Sequence, residues 1–285
     1  MRKLLTIFLA LAASTSLWAD EFQIGYISYE ITGENTVELD YADEEITQVA
    51  IPNTVSYRGK TYRVTSIGSD AFYDCAKLTS VAIGDYVKNI RQDAFAECTA
   101  LRTVVIGNGV THIGEGAFAE CTALTSLTMG SKVQSIGEIA FVECKSLTSV
   151  TLPSSVTHIG TEAFAECTAL QSIALGSGVT HIGQEAFAEC NSLQKLSLPA
   201  SLIHIGNSAF GMCERLYSII YKGTKEQWHK IAKGKELNYD SPVSHVTCTN
   251  GSSYSSPHYP TLHNTTLHHT NVVSYAGKLT KYILS

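Results

Sequence analysis

The chain has 285 residues, 44% of them hydrophobic and 16% charged, with 21 Gly, six Pro and eight Cys. Those proportions exclude collagen-like and wholly disordered chains. A net charge of −6, from 20 basic and 26 acidic side chains, repels phosphate backbones and anionic lipid, so neither nucleic acid nor a membrane surface is an expected partner.

Residues 1–19 have the anatomy of a secretory signal peptide. Arg2 and Lys3 form a basic start, Leu4 to Ala13 an apolar run, and the polar break Ser14-Thr15-Ser16 leads to Leu17-Trp18-Ala19, with cleavage expected after Ala19. The competing reading is a membrane anchor, but ten residues at 1.5 Å rise cover only about half of a ~30 Å hydrocarbon core. No cysteine stands near the cleavage point to mark a lipoprotein, and removal of Arg2 and Lys3 would leave a net charge of −8. The expected location is secreted or cell-surface.

Residues 20–63 are read as an N-terminal β cap and an irregular first repeat. Ile24, Tyr26 and Ile27, Tyr29 and Ile31, then Val37, Leu39 and Tyr41 alternate as strands do, around the turn signal Thr32-Gly33-Glu34-Asn35. Ile46, Val49, Ile51, Pro52 and Val55 open the first repeat. The stretch from Ser56 to Tyr62, with Arg58-Gly59 at its centre, predicts a hairpin.

Self-similarity dominates residues 64–223. Cys75, Cys98, Cys121, Cys144, Cys167, Cys190 and Cys213 follow one another at 23-residue intervals, as do the phenylalanines from Phe72 to Phe210, each preceded by Ala. Leucines from Leu78 to Leu216 and isoleucines from Ile67 to Ile205 keep the same step. The unit reads L-x-x-V-x-I-G/P-x-x-V-x-x-I-G-x-x-A-F-x-x-C-x-x, and such a period means a solenoid. Leu78, Val81 and Ile83 end in strand spacing with Ser80 and Ala82 turned outward. Gly84, or Pro153 and Pro199 in other copies, turns the chain, and a second short extended piece aims Val87 and Ile90 inward. The Ala-Phe-x-x-Cys segment is expected to form one turn of α- or 3₁₀-helix. No single unit can bury this many apolar side chains alone, whereas stacked coils join them into one core.

These residues resemble leucine-rich repeats, and more narrowly the BspA-like bacterial class. Residues 78–98 (LTSVAIGDYVKNIRQDAFAEC) and 147–167 (LTSVTLPSSVTHIGTEAFAEC) carry the likeness, which extends over about residues 46–251. The fold class is therefore an α/β-type repeat solenoid of 23-residue coils. A parallel β-sheet is expected on one face, short helical or 3₁₀ turns on the other, and a cap at each end. For the C-terminal cap, residues 224–251, Thr224 is placed to cap a helix through Trp228 and Ile231, and Val243, Val246 and Cys248 give a last strand. The GTKEQW segment and the closing HVTCTNG also resemble the family's terminal cap. Residues 252–285, rich in Ser, Thr, His and Tyr and without an acidic residue, read as an extended or disordered tail. Its His258, His263, His268 and His269 show no recurring ligand spacing, so a solvated tail is preferred to a metal site.

Three polar columns and the cysteines are the candidates for chemistry. An odd ladder of seven Cys in one column beside Ala and Phe favours buried thiols over bridges, although secretion favours disulfides. Zinc sites want C-x₂₋₄-C pairs, which the interval does not supply. His112, His158, His181 and His204 share an outward column with Ser66, Asn89 and Ser135. Asp74, Glu97, Glu120, Glu143, Glu166 and Glu189 form an acidic stripe, and Ser80, Thr103, Ser126, Ser149, Ser172 and Ser218 line the strand face with Lys195. A hydroxyl nucleophile needs a base and an oxyanion hole set beside it, and here every copy is alike. No G-x-S-x-G, H-E-x-x-H or Walker loop occurs. No catalytic residue, cofactor or metal site is therefore expected, and for each column a solvated repeat face competes with a functional one.

Two functions of different class remain. One is a non-enzymatic, secreted or cell-surface module that binds a protein ligand through its repeat face. The family resemblance implies adhesion to host matrix or plasma proteins such as fibronectin or fibrinogen, or to other bacterial cells. The other is a structural, self-assembling component of the bacterial envelope. The candidate ligand-facing residues are Ser126, Thr128, Ser149, Thr151, Gln171, Ser172, Gln194, Lys195 and Ser197, because small outward side chains let an extended partner lie close. Tyr217 and Tyr221 are the aromatic side chains expected near that face.

Overall fold

The computed structural model describes residues 21–243, 245–249 and 253–255. The expected signal peptide and nearly all of the tail lie outside them.

The described chain opens with β1 (Glu21–Ile24), β2 (Ile27–Gly33) and β3 (Thr36–Ala42), an antiparallel meander, followed by β4 (Gln48–Ile51). The hairpin expected at Ser56–Tyr62 is present as β5 (Thr54–Tyr57) and β6 (Lys60–Ile67). Each coil then supplies two short strands: β7 (Ser80–Ile83) and β8 (Asn89–Ile90), β9 (Thr103–Val105) and β10 (His112–Ile113), β11 (Ser126–Thr128) and β12 (Ser135–Ile136). The series continues with β13 (Ser149–Thr151) and β14 (His158–Ile159), β15 (Ser172–Ala174) and β16 (His181–Ile182), β17 (Lys195–Leu198) and β18 (His204–Ile205). After β19 (Ser218–Tyr221) come α1 (Lys225–Lys230), β20 (Ala232–Lys233), β21 (His245–Cys248) and β22 (Ser253–Ser255). The last of these pairs with β21, so the strands run past residue 251 into the segment read as tail.

The coils stack in strict 23-residue register, His158 beside His181 and Ile159 beside Ile182. The second extended piece of the repeat, only two residues long per coil, builds the largest sheet. From β3 through β6, β8, β10, β12, β14, β16 and β18 to β20 its strands run parallel. The Leu-x-x-Val-x-Ile pieces form the other wall, and it is split: β4, β7, β9 and β11 make one sheet, and β13, β15, β17, β19, β21 and β22 another.

The Ala-Phe-x-x-Cys side is not helical as expected but a run of turns. Every second N–H group bonds to the next coil, and those in between close turns within their own coil, as Ala96 N–H does on the Asp93 carbonyl at 3.0 Å. Phe95 N–H donates to the Ala117 carbonyl at 2.8 Å and Glu97 N–H to Ala119 at 2.8 Å, which breaks the continuous run of donors that a helix needs. Asp93 and Glu97 also sit at φ +51° and +59°, which no right-handed helix allows. On each side many backbone groups bond to the neighbouring coil, and the apolar columns fill the interior. Phe72, Phe95, Phe118, Phe141, Phe164, Phe187 and Phe210 are fully buried and stack face to face, with centroids 4.7 Å apart at the first step and 6.0 Å at the last.

At the C-terminal end Thr224 starts α1 with a reciprocal cap. Its side chain accepts the Gln227 N–H at 3.3 Å, and the Gln227 side chain accepts the Thr224 N–H at 2.8 Å. This fixes the buried Trp228 against Tyr221, ring centroids 5.3 Å apart.

Candidate functional site

The alternation of a strand places every second residue of the split wall outward. Ser126 and Thr128 stand exposed on β11, Ser149 and Thr151 on β13, Ser172 on β15 and Lys195 on β17, where Ser197 is half-buried. Gln171 and Gln194 are exposed just before β15 and β17. The nine candidate residues thus share one outward face. The structure divides them, with Ser126 and Thr128 on the first sheet and the rest on the second. Tyr217 extends the face, 52% exposed, with the Lys195 ammonium 5.8 Å from its ring centroid. Tyr221 does not: it is 1% exposed, because its position is the inward one of β19 and Trp228 covers it.

Where the wall divides, β11 and β13 are not hydrogen-bonded to each other. In the coil before, the Arg102 carbonyl accepts the N–H groups of Thr125 and Ser126, both at 3.0 Å. In the coil after, the Thr148 carbonyl accepts those of Gln171 and Ser172, at 2.9 and 3.4 Å. The matching bonds from Thr148 and Ser149 to the Thr125 carbonyl are not made. A groove of about 340 Å³ lies there, lined by Leu127, Thr128, Met129, Ser149, Thr151 and Pro153. Leu127 and Met129 are only partly buried, whereas Val104, Val150 and Ile173 in the Leu127 column and Ile106, Leu152 and Leu175 in the Met129 column are buried. Sequence reasoning missed this groove.

The histidine column lies on the largest sheet. His158 and His181 stack with centroids 4.5 Å apart, and His181 and His204 at 6.0 Å. Thr157 and Thr180 sit 2.8 and 2.9 Å from the Nδ1 atoms of His158 and His181, while donating their hydroxyl hydrogens to the carbonyls of Gln134 and Thr157. With its hydrogen spent, each hydroxyl accepts from Nδ1–H, so the network assigns the Nδ1–H tautomer and leaves Nε2 as the basic nitrogen. Burial, then the neighbouring His158 and His204, hold His181 below its usual pKa.

The acidic stripe occupies strained backbone, with Glu120, Glu143, Glu166 and Glu189 all at φ +57°. Burial first, and then the carboxylates of adjacent coils, push the pKa of Glu120 and Glu166 up. Lys145 relieves one step by an ion pair with Glu143 at 2.9 Å. Among the described residues no group of three His, Cys, Asp or Glu is arranged to hold a metal ion. All eight cysteines are free and buried. Ser66 of the histidine column hydrogen-bonds the Glu38 carboxylate, which pairs with Arg91 at 2.7 Å, and along the following coils the columns offer a regular surface for contact.

The BspA type leucine-rich repeat region model matches residues 41–168 and 134–234, in six copies. A leucine-rich repeat protein from Bacteroides ovatus is similar in structure, with TM-score 0.61 and 28% identity over 80% of this chain and 70% of that one. The T. pallidum leucine-rich repeat protein gives TM-score 0.63 and 26% identity over 77% of this chain and 100% of that one. No curated protein matches the chain. Leucine-rich repeat solenoids are binding modules, and among the described residues no helix is long and apolar enough to cross a membrane. With a 23-residue period, coils in register and six matched copies spanning most of its length, the chain belongs to the BspA-type leucine-rich repeat family.

Proposed function

We propose that the chain is a non-enzymatic binding module, secreted or held at the bacterial cell surface, that binds a protein ligand across the outward face of β11, β13, β15 and β17. The ligand is a host matrix or plasma protein, or a surface protein of another bacterial cell. The observation that carries this reading is the face itself: seven of its nine candidate side chains are exposed hydroxyls or amides in register, with one exposed lysine and one half-buried serine. Such a face lets an extended partner lie close and spreads affinity over many weak contacts. Many copies on one surface would strengthen it greatly.

In this reading residues 1–19 direct export. Residues 20–63 and 224–251 are lids that keep the open ends of the stack from water. Self-assembly is the weaker alternative, since the outer edge strand β4 is followed at once by Pro52, a residue that blunts edge pairing.

The test is binding of the immobilised full chain to fibronectin, fibrinogen and whole bacterial cells, repeated with Ser149→Lys and Ser172→Lys. Both side chains are exposed, so neither change should lower the melting temperature. Binding at least tenfold weaker is expected. Silence of both, with loss of binding on substitutions in residues 20–63, would transfer recognition to the N-terminal β-region.

A further inference from the structure

The divided wall has a cause in one column of the repeat. Gly84, Gly107, Gly130, Pro153, Gly176 and Pro199 occupy the corner after each strand. A Cβ added at Gly107, Gly130 or Gly176 would meet backbone of the preceding coil at 2.5, 2.1 or 2.2 Å. Pro carries that Cβ and a ring besides, so its coil must stand off from the one before. The two interior coils with Pro are those whose pairing fails. β13 shares no ladder with β11, and β17 meets β15 at the single pair Ala174–Ser197, while β9 and β7 pair at three positions. Pro52 opens the wall's first corner and has no earlier coil to strike.

We infer that the groove opened by Pro153 is a cleft for an extended polypeptide segment of the protein partner, which seats one apolar side chain against Leu127 and Met129. The inference rests on the protein-binding reading above and specifies its anchor. Leu127 and Met129 offer partly exposed apolar surface beside the hydroxyls of Thr128, Ser149 and Thr151, and none of the six lining residues is charged. The Thr125 carbonyl and the Thr148 and Ser149 N–H groups are ladder groups that the coil stacking leaves unmatched. A peptide backbone in β-conformation offers the complementary donors and acceptors. A volume of about 340 Å³ suits a side chain and its flanking peptide groups, at the small end of ligand sites. A glycan fits less well, since no aromatic platform lines the groove.

The chain contains only three methionines, Met1, Met129 and Met212, so a methyl-¹³C-methionine NMR spectrum reports the groove directly. The full chain is titrated with N-acetyl-leucinamide and N-acetyl-phenylalaninamide, with N-acetylglycinamide and maltotriose as controls. Expected is a saturable shift of the Met129 methyl with either apolar amide, in the millimolar range usual for fragments of this size, while Met212 stays fixed and both controls are inert. In Pro153→Gly the shift should be lost, and hydrogen exchange at Thr148 and Ser149 should slow at least tenfold as the ladder closes. Pro199→Gly should leave the Met129 response intact. A Met129 methyl unmoved by the amides, one moved equally by maltotriose, or a Pro153→Gly variant that responds like the wild type overturns the inference. A protein ligand that binds Pro153→Gly as tightly as wild type, yet is lost on Ser172→Lys, overturns the anchor while sparing the face.

Discussion

Cys121 donates its thiol hydrogen to the carbonyl oxygen of Phe95, one coil back and 3.2 Å away. The same oxygen accepts the N–H of Cys98 at 3.4 Å. The pattern repeats from Cys98 on Phe72 to Cys213 on Phe187, at 3.1 Å in both. A cysteine here fills the column as a small apolar group and also ties each coil to the last. This role needs the thiol reduced, and six of the seven repeat cysteines, from Cys98 to Cys213, fill it.

Thiol reactivity should follow from that burial. Desolvation pushes the pKa of Cys75, Cys167 and Cys213 from 9.0 up to about 12, so their thiolate fraction at mildly alkaline pH is about a thousandfold below that of a free thiol. In native protein an aromatic disulfide reagent should therefore leave the repeat cysteines unmodified over hours. In denaturant without reductant it should titrate all seven of them. Recovering three disulfides between Cys75 and Cys213 would contradict the ladder.

Acid should weaken the fold through His181. Its folded pKa lies below the ordinary 6.5, so the unfolded chain binds the proton more readily in the interval between the two values. The stability contributed by the neutral ring is complete above about 6.5 and is lost as pH falls through that interval. His158 and His204 are its stacked neighbours, and Ser135 and Ala232 continue the column on either side without charge. Because the rings are near solvent, the expected drop in melting temperature between pH 7 and 5.5 is only about 2 °C. His158→Asn with His181→Asn, which copies Asn89 of the same column, should flatten this slope. An unchanged slope in thermal melts would assign it to other groups.

Glu166 offers a stabilising change. Its φ of +57° suits Asn better than Glu, and its raised carboxyl pKa marks an anion disfavoured by burial and by Glu143 and Glu189. Glu166→Asn should raise stability by about 0.5–1 kcal/mol at neutral pH through relief of backbone strain. The charge contribution has its own signature. With the folded pKa above 4.5, the penalty of the carboxylate is present at neutral pH and vanishes as pH falls toward 4.5. The advantage of Glu166→Asn in urea melts should accordingly shrink on acidification. An advantage independent of pH would leave strain as its sole source.

The repeat columns were legible in the sequence because inward and outward positions recur every 23 residues, and Val87, Ile90, Phe95 and Cys98 all lie buried as their columns require. The Ala-Phe-x-x-Cys side was misread because local spacing of Ala, Phe and Cys suits a helix, while every second donor goes to the next coil, a long-range choice invisible in one unit. The outward face was also legible, for strand alternation gives Ser149 and Ser172 directly. Its groove was not, although the signal was present: Pro153 and Pro199 interrupt a glycine column whose steric reason appears only when one coil is laid on another. Tyr221 failed as a surface aromatic for a related cause, since Trp228 arrives on it from the helix beyond.

The second corner of the repeat makes the same steric demand, met by glycine in every coil from Gly114 to Gly206, with Arg91 the exception one coil earlier. A Cβ at Gly160 would lie 2.5 Å from the Gly137 carbonyl carbon and 2.6 Å from the Glu138 nitrogen, backbone atoms that cannot swing aside. Its φ is not in the left-handed region, so the substitution tests close approach alone. Gly160→Ala should destabilise by about 1–3 kcal/mol, the usual range for an overpacked site. The damage should centre on the β12–β14 step, where Ser135–His158 and Ile136–Ile159 pair, with faster amide exchange at Thr157 and Gly160, whose N–H groups donate to Gln134 and Ile136 at 2.8 and 2.9 Å. Ser154→Ala, at an exposed position of the same coil, should change nothing measurable. A Gly160→Ala protein with wild-type stability and unchanged exchange at Thr157 would mean that the stack yields at this corner as it does at Pro153.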